Sequence, residues 1–166
     1  LLRRYEARVA RACSHAFTAS EQETEILRSI APRVPFTTIV NGVATTVPRR
    51  PAVESRTLVF TGVMDYRPNI DAMTYFVHKI LPRVRASVPD ATLVIVGQRP
   101  SAEVRRLGRI PGVTVTGWVP DVGPYLEAAS LFVAPLRIAR GIQNKVLEAM
   151  AAGLPLVCTT AALGRL

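Results

Sequence analysis

Short apolar runs alternate with amphipathic segments over the later two thirds of the chain. The runs are rich in Val, Ile, Leu and Phe, are bounded by turn residues, and fall at 57–61, 92–96, 113–115, 131–134 and 156–158. Such runs are typical of strands buried on both faces of a parallel sheet. The intervening segments predict helices at 69 to about 88, with a break near Pro82, and at 101–108, 122–129 and 142–152. The alternation predicts an α/β fold, with helices covering both faces of a parallel sheet.

The first 43 residues have a different rhythm. Helical spacing of apolar positions covers 1–12, and 16–19 and 36–40 are predicted strands. Ser20 and Glu23 have the spacing of a capping box, which predicts a helix from Glu21 to about Ile30. Residues 44–56 contain two prolines with two arginines between them, the composition of a linker. We therefore expect three parts, which are 1–43, a linker at 44–56, and a domain at 57–166.

Composition places the chain among ordinary globular proteins. It has 166 residues, of which 49% are hydrophobic and 20% charged. No apolar run approaches the ~20 residues that span a bilayer, and no N-terminal signal pattern is visible. The two cysteines, Cys13 and Cys158, lie far apart and outside any metal-binding spacing, which is typical of free buried thiols. We expect a cytoplasmic location, where thiols stay reduced.

The net charge of +9 narrows the choice of partners. Phosphate ligands, an anionic membrane surface and nucleic acid all fit a basic chain. We do not expect nucleic acid, because the arginines are spread along the chain and no basic stripe with interleaved aromatic residues appears. A peripheral contact with the inner face of a membrane and an arginine-rich surface without a partner both stay open.

Segment 141–157 carries the most chemical information. It reads as a loop glycine, a helix, a glycine stop and a buried strand, with one carboxylate, Glu148, in the helix. The backbone N–H groups around Gly141, Ile142 and Gln143, together with Lys145, could bind a diphosphate at the helix N-terminus. Glu148, further along the helix, could accept hydrogen bonds from ribose hydroxyls. This arrangement suits a nucleotide sugar, although Lys145 and Glu148 could equally form an i, i+3 pair on a solvent face.

Two further strands end in glycine. Gly62 precedes a loop that enters a helix, where Asn69 could cap the first turn and the backbone could approach phosphate. Gly97 ends the next strand, and Arg99 two residues later could reach phosphate or base. Neither loop has the spacing of a P-loop or of a dinucleotide-binding fingerprint, so each signal is weak alone.

Several segments, in order and spacing, resemble retaining glycosyltransferases of family 4, which have the GT-B fold of two Rossmann-like domains. They are 37–43 (TTIVNGV), 60–62 (FTG), 93–97 (LVIVG), 117–121 (GWVPD), 132–135 (FVAP) and the helix segment 141–157. The resemblance implies that 1–43 is the end of an N-terminal acceptor domain with the crossing segment. It implies that 57–166 is a truncated, Rossmann-like donor-binding domain.

The resemblance also implies residue roles. The donor would be a nucleoside diphosphate sugar, with Arg67 helping to neutralise the diphosphate and the main chain of Val119 contacting the base. The alternative, taken from the residues alone, is that Trp118 is a partly buried aromatic residue, and in either case Asp121 is expected to cap the following helix. The acceptor would be a glycan or a lipid-linked molecule. Neither a cofactor nor a metal is implied, since the chain has no Asp-x-Asp pair.

Arg140 departs from the family pattern. Two glutamates usually stand eight positions apart in these enzymes, and Glu148 matches the second, but Arg140 occupies the first position. Arginine keeps a fixed positive charge, so it cannot act as a carboxylate, although it could bind phosphate or an acidic sugar. Glu148 and Arg140 are nevertheless the candidate catalytic residues.

Three functions remain open at this point. We favour the donor domain of a retaining glycosyltransferase, and we expect this chain alone to bind nucleotide weakly and to transfer nothing. The change at Arg140 favours a non-catalytic domain that binds a nucleotide sugar. An epimerase of the same architecture would need acid and base groups that no suitable loop provides.

Overall fold

The computed structural model describes residues 2–43, 55–139, 141 and 143–164. Their contacts divide these residues into two compact units, 2–42 and 43–164. Most of the predicted linker, residues 44–54, lies outside the described residues. Within the described ranges, every helix is too short or too polar to span a lipid bilayer.

The first unit contains two helices and two short strands. Its elements in chain order are α1 (Leu2–Arg11), β1 (Ala16–Thr18), α2 (Glu21–Ile30) and β2 (Phe36–Thr38). β1 and β2 pair in parallel. Ser20 caps α2 by accepting a hydrogen bond from the Glu23 N–H, so the predicted N-cap is confirmed. A small core of Ala10, Ala31, Val34 and Phe36 holds the unit together.

The second unit is built on a five-stranded sheet. The strands are β3 (Thr57–Thr61), β4 (Thr92–Val96), β5 (Val113–Gly117), β6 (Leu131–Ala134) and β7 (Leu156–Cys158). All neighbours pair in parallel in the order β5-β4-β3-β6-β7. The predicted parallel α/β sheet is therefore confirmed, and only β5 runs two residues further than its apolar run. The strands are apolar because both of their faces are buried, as the fully buried Val59, Phe60 and Phe132 show.

Helices connect these strands. They are α3 (Arg67–Tyr75), α4 (Leu81–Ser87), α5 (Ala102–Leu107), α6 (Gly123–Ala128), α7 (Asn144–Ala151) and α8 (Thr160–Leu163). A π-helical segment, Phe76–Ile80, joins α3 to α4. It lies just before Pro82, which lacks an N–H and whose ring crowds the carbonyl four residues back, so the wider i→i+5 turn accommodates the predicted break. The sequence did not predict α8.

The strand order places a switch point between β3 and β6. The chain moves from β3 to β4 in one direction and from β6 to β7 in the other. Right-handed crossovers running in opposite directions put α3 and α7 on opposite faces of the sheet. In open parallel sheets, ligands bind in the crevice that this reversal leaves at the carboxyl ends of the strands.

Two expectations about local environment are wrong. Cys13 is exposed and Cys158 is half-buried, so neither thiol is fully buried. Asp121 is not the N-cap of α6, because that position belongs to Val122. The Asp121 carboxylate instead accepts a hydrogen bond of 2.8 Å from the Gly123 N–H, the first residue of α6, and so stabilises the same helix start from one residue earlier.

The ends of β3 and β4 approach each other very closely. A Cβ atom added at Gly97 would collide with the carbonyl oxygen of Gly62. We predict that Gly97→Ala lowers the free energy of unfolding by about 1–3 kcal/mol, because the two strand ends must separate to admit the methyl group. Chemical denaturation of the purified chain measures this change.

Gly108→Ala is the matched control. Gly108 ends α5 with a φ of −65°, and its added Cβ would lie 3.4 Å from the nearest atoms. Alanine fits there and restricts the unfolded chain, so we expect a change of less than about 1 kcal/mol, in the stabilising direction. Equal stability of Gly97→Ala and the wild type would show that the strand ends are not in close contact.

Candidate functional site

A cavity of about 840 Å³ lies at the carboxyl ends of β3, β4 and β5. The loops that follow β3 and β4, the residues just after β5 and the start of α7 line it. It therefore occupies the edge of the sheet where the strand order predicts a ligand. Six of the residues predicted from the sequence line this cavity, namely Gly62, Gly97, Val119, Gln143, Lys145 and Glu148.

The other predicted residues divide into two groups. Arg140 and Ile142 lie outside the described residues. Arg67 and Gly141 are described and exposed, but neither is among the lining residues of the cavity. Arg67 is the first residue of α3, so the helix begins two residues earlier than the predicted Asn69. Pro68 in the first turn, whose φ is already fixed near the helical value, explains this earlier start.

The two strand-end glycines have their backbone donors engaged in the sheet. The Gly62 N–H donates to the Val96 carbonyl at 3.0 Å, and the Gly97 N–H donates to the Gly117 carbonyl at 3.2 Å. Neither N–H can therefore bind phosphate without breaking a hydrogen bond between strand ends. Protein atoms also fill the space on the Cβ side of both glycines, whereas their role in admitting a ligand to the backbone stays a prediction.

Lys145 and Asn69 occupy the space beside Gly62. A Cβ at Gly62 would lie 2.8 Å from Lys145 Nζ and 2.7 Å from Asn69 Nδ2, closer than van der Waals contact allows. Any larger residue would have to displace both side chains. Glycine at position 62 thus allows a lysine from α7 and an asparagine from α3 to meet at the end of β3.

The Lys145 ammonium is held by two groups. Its Nζ donates a hydrogen bond of 2.6 Å to Asn69 Oδ1 and lies 4.3 Å from the centroid of the Phe60 ring. The second distance is within cation–π range. Burial lowers the pKa of Lys145 from 10.5 to about 8, and the nearby Glu148 carboxylate opposes this shift. The half-buried ammonium is thus less stable than it would be in water, and an added anion would stabilise it.

Asn69 is the functional candidate that sequence reasoning assigned to the wrong role. It is only 4% exposed, and it caps no helix. Its Nδ2 donates to the Val63 carbonyl at 2.9 Å, which fixes the amide orientation and points Oδ1 at Lys145. One signal was available, since Asn69, Ala72 and Met73 have the i, i+3, i+4 spacing of a buried helix face, and a polar residue on such a face needs partners.

Arg99 is not available as an unpaired cation. Its Nε lies 2.9 Å from Asp65 Oδ2, and both side chains are exposed at the cavity wall. Arg99 also has a φ of +54°, which is uncommon for a residue other than glycine. The pair links the loop after β3 to the loop after β4. To bind a phosphate as the sequence suggested, Arg99 would have to share or break its ion pair with Asp65.

Two aromatic side chains are exposed at the cavity. Trp118 is 70% exposed and Tyr66 is 61% exposed, and both line it. The expectation that Trp118 is partly buried is therefore wrong. Val119, beside it, is half-buried and also lines the cavity. Exposed rings at a cavity mouth present flat apolar surface of the kind on which bases can stack.

Glu148 and Thr61 complete the polar lining. Glu148 lies on α7 one turn beyond Lys145 and is exposed, with its side chain at the cavity. Thr61 is 5% exposed, and its Oγ1 is the one buried side-chain oxygen of the described residues without a hydrogen-bond partner. Thr61 also lines the cavity, where a bound molecule could supply the missing hydrogen bond.

Solved structures with a similar backbone include those of TarM, HepE and WaaG. A S. aureus TarM mutant in complex with fondaparinux, α-GlcNAc-glycerol and UDP has a TM-score of 0.78 and 15% identity, over 97% of this chain and 33% of its own. Anabaena HepE in complex with UDP and glucose has a TM-score of 0.66 and 16% identity, over 93% and 48%. WaaG, a glycosyltransferase of lipopolysaccharide biosynthesis, has a TM-score of 0.65 and 20% identity, over 87% and 44%.

These similarities bear on the fold. The chain spans between a third and a half of the length of each of these three proteins. Identities this low show a shared fold alone, and the predicted Rossmann-like half of a GT-B fold is confirmed. A comparison with curated protein sequences gave no significant match.

A family model described as Glycosyl transferases group 1 matches residues 55–165, which include the whole five-stranded sheet and every residue that lines the cavity. Because this match covers more than half of the 166 residues, the chain belongs to that glycosyltransferase family.

Proposed function

We propose that this chain binds the nucleoside diphosphate sugar of a retaining glycosyltransferase. In this proposal the diphosphate lies against Lys145 and the start of α7, the ribose at Glu148, and the base near Val119 and Trp118. The single observation that carries the proposal is the convergence of the half-buried Lys145 cation and the Glu148 carboxylate on the cavity at the switch point. The presence of UDP in the TarM and HepE complexes supports a uridine nucleotide.

Lys145 is suited to stabilise a leaving diphosphate. Negative charge builds up on the diphosphate as its bond to the sugar breaks, and a fixed cation there lowers the energy of the transition state. The interaction is stronger in a partly desolvated site than in water. Asn69 and Phe60 already orient the ammonium, so little reorganisation is needed when the charge develops.

Glu148 is suited to the ribose. An ionised carboxylate offers only acceptors, and two neighbouring hydroxyls offer two donors. Its position one turn after Lys145 on α7 allows one ligand to contact both side chains. Glu148 is exposed because the cavity is open, and a bound nucleotide would cover it.

Other features of the reaction rest on the resemblance of 141–157 to family 4 enzymes. It supports retention of configuration, a glycan or lipid-linked acceptor, and a role for Arg140 in binding phosphate or an acidic sugar. Arg67, which is exposed at the start of α3, would reach the diphosphate only through movement of its long side chain. A cytoplasmic location with peripheral contact to an anionic membrane fits the net charge of +9.

The ribose contact can be tested with two nucleotides. We predict that Glu148→Gln lowers the affinity for UDP by about 10-fold or more, because hydrogen bonds to a charged acceptor are lost. Its affinity for 2′,3′-dideoxy-UDP, which lacks both hydroxyls, should stay within about 2-fold of the wild type. Isothermal titration calorimetry measures all four affinities.

Glu127→Gln is the matched control, since Glu127 is exposed on α6 and is not a lining residue. It should bind both nucleotides as the wild type does. Absence of binding of UDP, GDP and their sugars to the wild-type chain would contradict the proposal. Equal losses for UDP and for the dideoxy nucleotide would remove the role of Glu148 at the ribose.

The affinity for UDP should depend on pH through Lys145. The charged ammonium attracts the diphosphate, and its pKa in the free protein is about 8. We therefore predict constant affinity between about pH 7 and 8 and a fall approaching about 10-fold per pH unit above pH 8. The terminal phosphate, with a pKa near 6, keeps its charge in this range. The Lys145→Met variant should bind UDP weakly at every pH. Its affinity should fall only where the uracil base of UDP itself loses a proton.

The stability of the unliganded chain should change in the opposite direction. The folded state binds fewer protons than the unfolded state between pH 8 and 10.5, because the folded pKa of Lys145 is the lower one. The free energy of unfolding of the wild type relative to Lys145→Met should thus rise over this range, by at most about 3.4 kcal/mol. Denaturant unfolding at several pH values measures it. Lys79→Met, which changes an exposed lysine, is the control. If the difference in free energy of unfolding between the wild type and Lys145→Met does not change with pH, Lys145 is not desolvated.

A non-catalytic nucleotide-sugar-binding domain is the second candidate. Arg140 favours it, because this residue stands where the family pattern has a carboxylate. Binding of UDP-sugars without transfer, by this chain and by any longer natural form of it, would support this candidate. Robust transfer by a longer form would favour the glycosyltransferase, and robust turnover by this chain alone would contradict our expectation that the fragment is inactive.

A further inference from the structure

We propose that Asn69 is a positioning residue of the donor site, which holds the Lys145 side chain at the end of β3 where the diphosphate binds. This inference rests on the proposed function and extends it to a residue that touches no substrate. Asn69 would act through Lys145, so its contribution should disappear when the lysine is absent. Three observations carry the inference.

The first observation is that the Asn69 amide is fixed at both of its ends. Nδ2 donates to the Val63 carbonyl at 2.9 Å, and Oδ1 accepts from Lys145 Nζ at 2.6 Å. An amide can satisfy both contacts only in one orientation, because its nitrogen donates and its oxygen accepts. Being 4% exposed, the side chain has little freedom to rotate. Its acceptor therefore defines one place for the ammonium.

The second observation is that the neighbouring residues are shaped around this contact. Any Cβ at Gly62 would come within 2.8 Å of both the lysine Nζ and the asparagine Nδ2. The Phe60 ring lies on another side of the ammonium, with its centroid 4.3 Å away. The ammonium is thus surrounded by a backbone glycine, an aromatic face and an amide oxygen. An isolated hydrogen bond on a protein surface would not require such an arrangement.

The third observation is the path of the chain. Asn69 lies in the first turn of α3 and Lys145 in the first turn of α7, on helices that pack against opposite faces of the sheet. Their hydrogen bond crosses the crevice between β3 and β6, where ligands bind in folds of this type. A lysine with four flexible carbons would otherwise extend into the open cavity and into water.

A double-mutant cycle tests whether Asn69 acts through Lys145. In the wild-type background, Asn69→Ala should lower the affinity for UDP by about 10-fold, because the cation is no longer held. In the Lys145→Met background the same change should cost less than about 2-fold. Additive losses would overturn the inference, since they would show that Asn69 acts independently of the lysine. The affinity for uridine, which has no phosphate, should not change in any variant.

A second measurement needs no nucleotide. The chain has only two lysines, Lys79 and Lys145, so protein labelled with ¹³C-lysine gives two side-chain signals that can be titrated by NMR. In Asn69→Ala the titration midpoint of Lys145 should rise from about 8 towards 10.5, because the released ammonium reaches water. The Lys79 signal serves as the internal reference. An unchanged Lys145 midpoint would mean that Asn69 does not hold the lysine.

Asn69→Asp covers the case in which the alanine variant fails to fold. Aspartate has nearly the shape of asparagine, but it loses the hydrogen bond to the Val63 carbonyl, and its carboxylate pairs with the ammonium and cancels the charge that the diphosphate would meet. UDP affinity should fall by about 10-fold while uridine binding stays the same. Unchanged UDP affinity in this variant would overturn the inference.

Thr74→Ala is the control for general loosening of α3. Its hydroxyl donates to Glu103 outside the cavity, so UDP affinity and the Lys145 midpoint should not change. Failure of the inference can be separated from failure of the proposed function. If the wild type binds no nucleoside diphosphate but the Lys145 midpoint moves in Asn69→Ala, the donor-site role is wrong and the contact between the two side chains is real.

Discussion

The hydrogen bond between Lys145 and Asn69 is the contact on which the site depends. A half-buried ammonium has lost part of its hydration, and an unpaired charge there would be costly. Asn69 Oδ1 and the Phe60 ring recover part of that cost without neutralising the charge. The cavity therefore contains a cation that is held in place and still open to an anion. A carboxylate in place of Asn69 would pair with the lysine and remove its attraction for phosphate, and it could not donate to the Val63 carbonyl as the amide does.

Both strand ends carry glycine because other protein atoms fill the space beside them. At Gly62 the space of a side chain is taken by the lysine and the asparagine, and at Gly97 it is taken by the Gly62 carbonyl. The two glycines, which the sequence suggested as points of ligand approach, are thus required by packing within the protein. They influence a ligand through the groups that they allow to come close, which are the Lys145 and Asn69 side chains and the two strand ends.

The sequence predicted regular elements well where a local pattern determines them. The predicted ranges of β3, β4, β6 and β7 are confirmed to the residue, because apolar runs between turn residues have few other structures open to them. The start of α3 was missed because Asn69 looked like a cap, whereas Pro68 begins the helix earlier. The exposure of Trp118 was missed because an aromatic residue between apolar neighbours is usually buried.

The candidate site was only partly predictable from sequence, because some of its contacts join residues that are far apart in the chain. Glu148 and Lys145 could be chosen because both lie in one short helix with a recognisable pattern. The partner of Lys145 could not, since Asn69 is 76 residues earlier and meets it only because adjacent β3 and β6 bring the first turns of α3 and α7 together at the switch point. Local patterns carry no information on such a contact. The ion pair between Asp65 and Arg99, which also joins two loops, escaped sequence reasoning in the same way.

The choice of lysine at position 145 follows from the space available. Nineteen of the 21 basic residues are arginines, so this chain uses arginine almost everywhere that a surface charge suffices. A guanidinium is wide and planar, whereas an ammonium is a compact point charge on a flexible stem. The compact group suits the narrow space between Gly62, the Phe60 ring and Asn69. Lysine can also lose its proton when desolvated, so its charge at this position responds to pH near 8.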